Sequence, residues 1–280
     1  MTTASTPTPT PATAAGSDGK AALRQRVDAF ASDVIGRINQ AIIDHNMTYE
    51  EYDAAKQWLI RLGQAGEWPL FLDVWVEHTV EQLAAHSRHG SQSTILGPYY
   101  LPDAPQLPSK ATLPMRPDEP GDRLVLRGQV RSLDDRPIGG ATLDMWQAGA
   151  DGFYSGFHPD TPEGNLRGRV VTDADGRFEV ETVLPGPYTI PLEGPCGELC
   201  RAAGWSPWRP GHLHLIVGGP DHDPLTTQLF FEGEEYLDND VASAVKPELI
   251  LRPAEEPGDG SGRRRYGVTY DFVLEPTPAA

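Results

Sequence analysis

The segment 209–217 carries two histidines whose spacing could build part of a metal site. Side chains two residues apart in an extended strand point to the same face of a sheet. His212 and His214 would therefore project together, while the aliphatic residues that alternate with them face the core. These are Leu213, Leu215 and Val217. From the pattern alone, three readings of the pair stay open: a zinc site, an iron site, or plain packing.

A complete metal site needs further donors, and two tyrosines lie in turn-like segments that could supply phenol oxygens. Tyr154 follows the run 149–152, which has two glycines, and Tyr188 lies in the proline-rich run 184–191. Aspartate, glutamate, cysteine and a third histidine are the other candidate ligand types. The spacing leaves each tyrosine open to metal binding or to ordinary packing.

The composition argues against several classes of function. The chain has 280 residues, with 23 Lys and Arg against 40 Asp and Glu, a formal charge of −17. Such an acidic chain is poorly suited to nucleic acid or to anionic membranes, and no apolar run approaches membrane-spanning length. We therefore expect a cytoplasmic protein that neither binds nucleic acid nor inserts into a membrane.

The two cysteines, Cys196 and Cys200, are too few for a disulfide scaffold and fit a reducing compartment. Their spacing is compatible with a redox pair, with thiolate ligands, or with two inert thiols in a loop. A single motif of this kind does not discriminate among these roles.

Helical periodicity dominates the first third of the chain. Apolar residues recur at intervals of three and four over 23–42, which predicts a long amphipathic helix. Thr48 and Glu51 fit a capping box, so a second helix should begin directly after Thr48. Pro69 suits the first turn of a third helix that continues to Val80.

After about residue 97, prolines break the helical pattern, and short β-rich runs separated by turns follow. The turn 173–176 is expected to join two strands as a hairpin, and 266–274 is expected to form one last strand. Closely spaced short strands indicate a β-sandwich. We therefore predict a mainly β protein with α. It would comprise an unstructured tail at 1–19, a helical N-terminal domain at 20–107 and a β-sandwich domain at 108–280.

Seven short motifs follow one another at 66–73, 97–100, 151–155, 165–168, 187–191, 209–214 and 225–228. The residues and the order of these motifs resemble those of the intradiol ring-cleaving dioxygenases, specifically the actinobacterial members that act on catechol. The resemblance runs from about Tyr49 to Leu274. One motif alone would be unspecific, whereas seven in the same order are specific. The resemblance implies that O2 cleaves catechol between its two hydroxyl-bearing carbons to give cis,cis-muconate, in the degradation of aromatic compounds.

The resemblance also implies the cofactor. The family holds one non-haem Fe(III) per subunit and needs neither an organic cofactor nor an external reductant. Two tyrosinates and two imidazoles are the implied ligands, at Tyr154, Tyr188, His212 and His214. Phenolates are hard anionic donors that favour the ferric state, unlike the two-histidine, one-carboxylate set of Fe(II) oxygenases.

Three residues carry implied catalytic roles. Tyr188 matches the tyrosine that leaves the metal and helps to accept a substrate proton. Arg209 matches the arginine that steadies negative charge as it develops on the substrate, which is a form of electrostatic preorganisation. Gln228 matches a neighbouring polar residue beside the site.

The resemblance further implies a substrate pocket with a helical roof, a loop along the ring edge and a wall that follows Tyr188. The matching residues are, in that order, Leu70, Asp73 and Val74; Ile95, Gly97, Pro98 and Tyr99; and Ile190, Pro191 and Val241. Each residue alone is equally compatible with ordinary packing. Asp73 fits a core least well, because an unpaired buried carboxylate is costly.

The quaternary structure is implied in the same way. Family members dimerise through their N-terminal helices, where an apolar tunnel can hold a lipid. The apolar stripe over 23–42 suits that role. We therefore expect a homodimer, with room for a phospholipid in the tunnel at its interface.

The chain departs from the family pattern at two positions near the site. Gln147 stands where many relatives have histidine, and Gly211 stands where many have alanine. We expect no loss of iron from the first departure. The second is expected to loosen the approach of the chain to His212.

Other functions stay open alongside this one. Within the family, hydroxyquinol and chlorocatechol are rival substrates. Hydroxyquinol stays open because Asp73 could accept a hydrogen bond from its third hydroxyl. The sequences of segments 66–73 and 240–249 favour catechol as the substrate. From other classes, the rivals are a non-catalytic metal-binding β-sandwich module, whose histidines pack or hold zinc, and a zinc hydrolase with an activated water.

Overall fold

The computed structural model describes residues 17–258, 260 and 262–278. The chain divides into two compact units, with the boundary after Leu59. Residues 1–16 of the tail expected at 1–19 lie outside the described residues. The domain boundaries expected at residues 20 and 108 stay predictions.

Five α-helices lie in the described chain. They are α1 Ser17–Asp44, α2 Tyr49–Gln64, α3 Trp68–Trp75, α4 Glu77–Ala85 and α5 Pro195–Ala203, and a 3-10 turn spans Pro247–Leu249. The capping box before α2 is confirmed. The Thr48 amide donates to Oε2 of Glu51 at 2.7 Å, and the Glu51 amide donates to Oγ1 of Thr48 at 3.2 Å. None of the described helices is long and apolar enough to cross a membrane.

The single third helix expected from Pro69 to Val80 is wrong, because it breaks at Val76, where φ is −124°. The break puts Glu77 at the start of α4. The Glu77 carboxylate accepts hydrogen bonds from the Leu96 amide at 2.8 Å and the Gly97 amide at 3.2 Å. These bonds tie the helix pair to a loop that reaches the site, which offsets the lost helical continuity.

Fourteen β-strands follow one another in the described chain. They are β1 Gln106–Leu107, β2 Lys110–Thr112, β3 Arg123–Ser132, β4 Thr142–Gln147, β5 Arg167–Val171, β6 Arg177–Val183, β7 Tyr188–Thr189, β8 Trp208–Arg209, β9 His212–Gly219, β10 His222–Phe231, β11 Ile250–Leu251, β12 Ala254–Glu256, β13 Arg265–Thr269 and β14 Phe272–Leu274.

The strands form two large mixed sheets and one short pair. The first sheet has the order β1-β5-β4-β9-β10-β11, and the second has the order β12-β13-β3-β6-β2, with β14 also paired to β3. Apolar side chains from both sheets, such as Leu126 and Val180 on one and Met145 and Leu215 on the other, belong to one buried core. Helices followed by a β-sandwich confirm the predicted fold class.

The expected hairpin at 173–176 is wrong, because β5 and β6 belong to different sheets. The turn does form: the Gly176 amide donates to the Asp173 carbonyl at 3.0 Å, and the Asp173 carboxylate accepts from the Arg177 amide at 2.8 Å. This turn passes the chain across the sandwich instead of pairing its neighbours. Local turn chemistry does not distinguish those two outcomes.

The single strand expected over 266–274 is also wrong, since β13 and β14 are separate. Between them the Tyr270 amide donates to the Arg127 carbonyl at 2.9 Å, and Asp271 accepts from the Gln129 amide at 2.9 Å. A Cβ on Gly128 would overlap the Tyr270 carbonyl oxygen. The glycine on β3 therefore permits the close approach that interrupts the last strand.

The two cysteines lie in α5 and not in a loop. Cys196 and Cys200 are buried and unpaired by disulfide. The helix has Pro195 in its first turn and ends at Gly204, whose φ of 67° is left-handed. Proline at the start and glycine just past the end are helix signals that the sequence did contain.

Candidate metal centre and cavity

Four neighbouring strands of the first sheet carry one continuous row of buried side chains. Register pairs Arg167 of β5 with Trp146 of β4, and Trp146 with His214 of β9. His214 in turn pairs with Gln228 of β10. Residues directly opposite one another share a face. The Trp146 ring stacks on the His214 imidazole with centroids 4.7 Å apart.

The structure brings the four expected ligands together at this row. Nε2 of His212 lies 2.9 Å from Nε2 of His214, which lies 3.1 Å from the Tyr154 hydroxyl. The rings of Tyr154 and Tyr188 meet edge to face, with centroids 5.2 Å apart. All four side chains are buried. The two halves of the candidate site, histidines on one strand and tyrosines from two other segments, therefore converge.

Two segments outside the large sheets present the tyrosines. Tyr154 lies in the loop after β4, and Tyr188 begins β7, where it pairs with Arg209 of β8. Gly152 has a φ of 81°, and a Cβ there would approach the Pro187 carbonyl oxygen to 2.8 Å. The glycine therefore lets the Tyr154 loop pack directly against the Tyr188 segment.

Arg209 lies at the centre of a buried network beside the ligands. Its guanidinium forms a bidentate ion pair with Asp240, at 2.9 and 3.1 Å, and donates to Oε1 of Gln228 at 2.8 Å. Its Nη1 lies 3.4 Å from the Tyr188 hydroxyl and 3.2 Å from Nε2 of His212. A bidentate pair fixes the plane of the guanidinium, so its charge is held facing the site.

Asp240 belongs to the site, although nothing in its local sequence marked it as a site residue. Its carboxylate also accepts from the amides of Ala242 at 3.2 Å and Ala244 at 3.0 Å. Burial alone would raise the pKa of Asp240, yet Arg209 outweighs burial and lowers that pKa below its usual range. The available signal was indirect: a buried arginine needs a carboxylate, and 240 is an aspartate at the edge of an apolar run.

Burial sets the protonation of the four candidate ligands before any cation binds. It lowers the pKa of His212 to about 3, with Arg209 adding to the effect, and it lowers the pKa of His214 well below the usual range. Burial and the neighbouring Tyr188 raise the pKa of Tyr154 well above its usual value, and burial also raises the pKa of Tyr188. The imidazoles are therefore neutral and the phenols protonated at neutral pH.

The donor set fits a ferric ion. Nδ1 of His212 lies 2.7 Å from the Pro210 carbonyl oxygen, so it carries the proton and leaves a lone pair on Nε2, which faces the site. Two imidazole nitrogens and two phenols that can lose protons combine borderline and hard donors, which suits Fe(III). No group of three or more His, Cys, Asp or Glu able to hold a metal occurs among the described residues. A typical zinc set is therefore not found in that part of the chain.

We expect the metal-free protein to lose stability as the pH falls below about 6.5. The His212 pKa is near 6.5 in its unperturbed state and about 3 in the folded protein. Between these values the unfolded chain binds more protons, so the free energy of unfolding falls as the pH falls. Urea unfolding at about pH 7.5 and about pH 5 measures this. A His212→Asn variant should show a smaller difference, and an equal difference would contradict the assignment.

An open cavity of about 740 Å³ adjoins the tyrosines. Of the expected pocket residues, Tyr99, Ile190 and Pro191 line it, together with aromatic residues that were not expected, namely Phe153, Phe157, His158 and Trp208. The Tyr99 ring stacks on Tyr154 with centroids 4.5 Å apart. An aromatic wall therefore continues from the candidate ligands into the cavity.

The other expected pocket residues have different surroundings. Gly97 lies beside His214, since a Cβ on Gly97 would be 3.5 Å from Cε1 of His214. The Ile95 carbonyl accepts a hydrogen bond from the side-chain amide of Gln228 at 2.9 Å. The Val241 amide donates to the Trp208 carbonyl at 3.0 Å. The remaining four residues do not line this cavity: Leu70, Asp73, Val74 and Pro98. Substrate contact by any of these residues stays a prediction.

Gln147 and Gly211 both have a clear structural setting. The side-chain amide of Gln147 accepts a hydrogen bond from the Thr182 hydroxyl at 2.6 Å and donates one to the Val183 carbonyl at 2.9 Å. Its hydrogen-bonding groups are therefore satisfied inside the sandwich. A Cβ on Gly211 would lie 2.2 Å from the Pro185 carbonyl oxygen. The glycine therefore permits a tight contact between the two ligand-bearing segments, the reverse of the looser approach expected from sequence.

We expect Gly211→Ala to lower the free energy of unfolding by about 1–3 kcal/mol, because the added methyl overlaps rigid backbone. Gly218→Ala on the same strand is the matched control, since its Cβ meets nothing closer than 3.6 Å. Denaturant unfolding of both variants provides the measurement. Equal stability of the two variants would contradict this expectation, because it would mean that the Pro185 segment shifts at no cost in free energy to accommodate the methyl group.

Two family profiles match the chain. The profile described as "Catechol dioxygenase N terminus" matches residues 24–92, and the profile described as "Dioxygenase" matches residues 95–276. Together they cover most of the chain, and the second contains all four candidate ligands.

Known proteins are similar over nearly the whole chain. A chlorocatechol 1,2-dioxygenase of Rhodococcus opacus is 44% identical, over 85% of this chain and 93% of the relative. The crystal structure of a 3-chlorocatechol 1,2-dioxygenase from Rhodococcus opacus 1CP superposes with a TM-score of 0.87 at 45% identity, covering 90% of this chain and 99% of that one. A catechol 1,2-dioxygenase structure from Pseudomonas arvilla C-1 gives 0.82 at 30%, covering 91% and 86%.

Proposed function

Because the chain belongs to the intradiol ring-cleaving dioxygenase family, we propose that its preferred substrates are chlorinated catechols. As an intradiol dioxygenase it opens the ring between the two hydroxyl-bearing carbons, with O2 as the oxidant. The choice of substrate rests on identity, 44% with a relative named for chlorocatechol against 30% with one named for catechol. The sequence alone favoured catechol, with chlorocatechol as an alternative.

The lining of the cavity supports this choice. Phe157, Ile190 and Trp208 give it apolar walls. Chlorine atoms are apolar and bulky, so burying them against such walls is favourable.

We propose that Tyr154, Tyr188, His212 and His214 hold one Fe(III) per chain. Iron bound there would supply a Lewis acid that draws electron density from the substrate and makes its ring reactive toward O2. The imidazoles are neutral donors whose positions on β9 are fixed by the sheet.

Tyr188 and Arg209 would accept a proton and stabilise negative charge, respectively. Tyr188 is protonated in the metal-free protein and would give up this proton if it binds iron. Its phenolate oxygen would then accept a proton from a substrate hydroxyl, and Arg209 beside it favours the charged form. The Arg209 guanidinium, held by Asp240 and Gln228, then faces the negative charge that develops on the substrate oxygens. A charge fixed in advance stabilises a transition state without reorganisation.

Turnover of four substrates tests the proposal: catechol, 3-chlorocatechol, 4-chlorocatechol and hydroxyquinol. We expect kcat/KM to be highest for one of the two chlorocatechols. Preference for catechol by more than about tenfold, which is about 1.4 kcal/mol of differential binding in the transition state, would overturn the choice. A preference for hydroxyquinol that disappears in Asp73→Leu would identify Asp73 as the residue that binds the third hydroxyl of that substrate.

We also propose that the chain forms a homodimer through α1, with room for a phospholipid there. The helix exposes apolar side chains along its length, for example Leu23 at 63%, Phe30 at 72% and Ile38 at 55%. Such a stripe is expected to be covered by a partner. Sedimentation should give a dimer that dissociates in Phe30→Glu, and mass spectrometry of an organic extract tests for lipid. A monomer at all concentrations would contradict the proposal.

A further inference from the structure

Arg167 is a buried cation to which the reaction assigns no role. Its side chain lies inside the first sheet and the residue is 4% exposed. Burial lowers its pKa to about 10, so it is charged at neutral pH. Asp144 of β4 acts on this charge from a distance, but within the described chain no carboxylate forms an ion pair with Arg167. Its Nε and Nη1 atoms have no hydrogen-bond partner. An unpaired buried charge costs stability, so its presence calls for a reason other than folding.

The remaining guanidinium nitrogen of Arg167, Nη2, donates two hydrogen bonds. Nη2 donates to the Tyr99 carbonyl at 3.0 Å and to the Ser155 carbonyl at 2.8 Å. The first carbonyl belongs to the residue whose ring stacks on Tyr154, and the second belongs to the residue after Tyr154. The ring planes of Tyr99 and Tyr154 differ by 16°. One guanidinium nitrogen therefore ties together the two segments that form this stack.

The position of Arg167 is itself fixed by the row of side chains across the sheet. Arg167 is at one end of the row and Gln228 is at the other, with Trp146 and His214 between them. Gln228 holds a loop through the Ile95 carbonyl, at 2.9 Å. Arg167 and Gln228 thus hold the same 95–99 segment at two points, and Gly97 between these points lies beside His214. The sheet therefore serves as a common reference for His214, for this segment and for the Tyr154 loop.

We propose that Arg167 is a positioning residue: it fixes the Tyr154 segment against the Tyr99 segment and so sets the orientation of the Tyr154 phenol relative to His214. The proposal rests on iron ligation by Tyr154, and it does not depend on which catechol is preferred.

Three variants test this role: Arg167→Met, Arg167→Lys and Arg169→Met. Methionine keeps much of the volume and removes both bonds together with the buried charge. Lysine keeps a charge and N–H donors. Arg169 lies two residues on along β5, is exposed, and serves as the matched control.

We expect Arg167→Met to fold with a metal-free melting temperature near that of the wild type, because the removal of a buried charge and the loss of two hydrogen bonds act in opposite directions. Its kcat should fall about 10- to 100-fold and its iron content should decrease. Its phenolate-to-iron absorption band should shift, while KM stays near the wild-type value. In a crystal structure of the metal-free variant, the Tyr99 and Tyr154 rings should be displaced from their 4.5 Å stacking. Arg167→Lys should recover part of kcat and of the band position, and Arg169→Met should match the wild type.

A wild-type band and kcat in Arg167→Met would overturn the proposal, as would equal losses in Arg169→Met. If the methionine variant does not fold, Arg167→Lys decides. An intermediate kcat with a shifted band supports positioning, and wild-type values contradict it. A changed ranking of catechol against chlorocatechols would concern the proposed substrate, whereas the metal-free ring geometry concerns Arg167 alone.

Discussion

Replacing Arg209 with alanine is expected to lower kcat by about 10²- to 10³-fold and the free energy of unfolding by about 3–5 kcal/mol. The loss of rate follows from the removal of a fixed positive charge beside the reacting oxygens. The loss of stability has a separate cause, because Asp240 would then be a buried carboxylate without its ion-pair partner. A single substitution therefore mixes a catalytic effect with a structural one.

A double variant separates the two effects. Arg209→Gln together with Asp240→Asn leaves two neutral amides that can hydrogen-bond where the ion pair stood. We expect this double variant to regain most of the stability, since no unpaired charge remains, and to regain none of the rate. Asp240→Asn alone should keep part of kcat, because Gln228 still holds the guanidinium. Recovery of wild-type kcat in the double variant would mean that the charge of Arg209 has no catalytic role.

Replacing His214 with alanine is expected to abolish both iron binding and turnover. The His214 Nε2 atom lies within 3.1 Å of both His212 and Tyr154, and its ring stacks on Trp146. The substitution therefore removes one donor and the side chain against which two others are placed. The loss of turnover should exceed the roughly 10- to 100-fold loss expected when a residue that only supports a ligand is removed.

Metal analysis and oxygen uptake measure this prediction. His222→Ala is the control, because His222 lies at the start of β10 and its imidazole Nδ1 faces the Pro220 carbonyl, not the candidate ligands. The control should keep its iron and its turnover. One iron per chain in His214→Ala, with turnover retained, would exclude His214 from the site.

Patterns close together in sequence predicted the fold and part of the site. Alternation predicted that His212 and His214 share a face, and the capping box predicted the start of α2. Such signals depend on neighbours within a few residues, which is why they can be read directly. The resemblance to a family added Tyr154 and Tyr188, which spacing alone did not separate from packed tyrosines.

Features that depend on distant pairing could not be predicted in the same way. Asp240 binds Arg209 from 31 residues further along the chain, and Arg167 joins the row only through the register of β5 with β4. The turn at 173–176 looks like a hairpin locally, whereas the sheet to which each strand belongs is decided by packing across the sandwich. No local period encodes these choices.

The visible absorption spectrum of the purified protein, recorded with its metal content, tests the central claim most directly. Two tyrosinates and two histidines around one ferric ion should give one iron per chain and a red to burgundy colour from phenolate-to-iron charge transfer. The band should shift when catechol is added without O2 and should be altered in Tyr188→Phe. A colourless protein with one zinc per chain and no O2 consumption would contradict the claim.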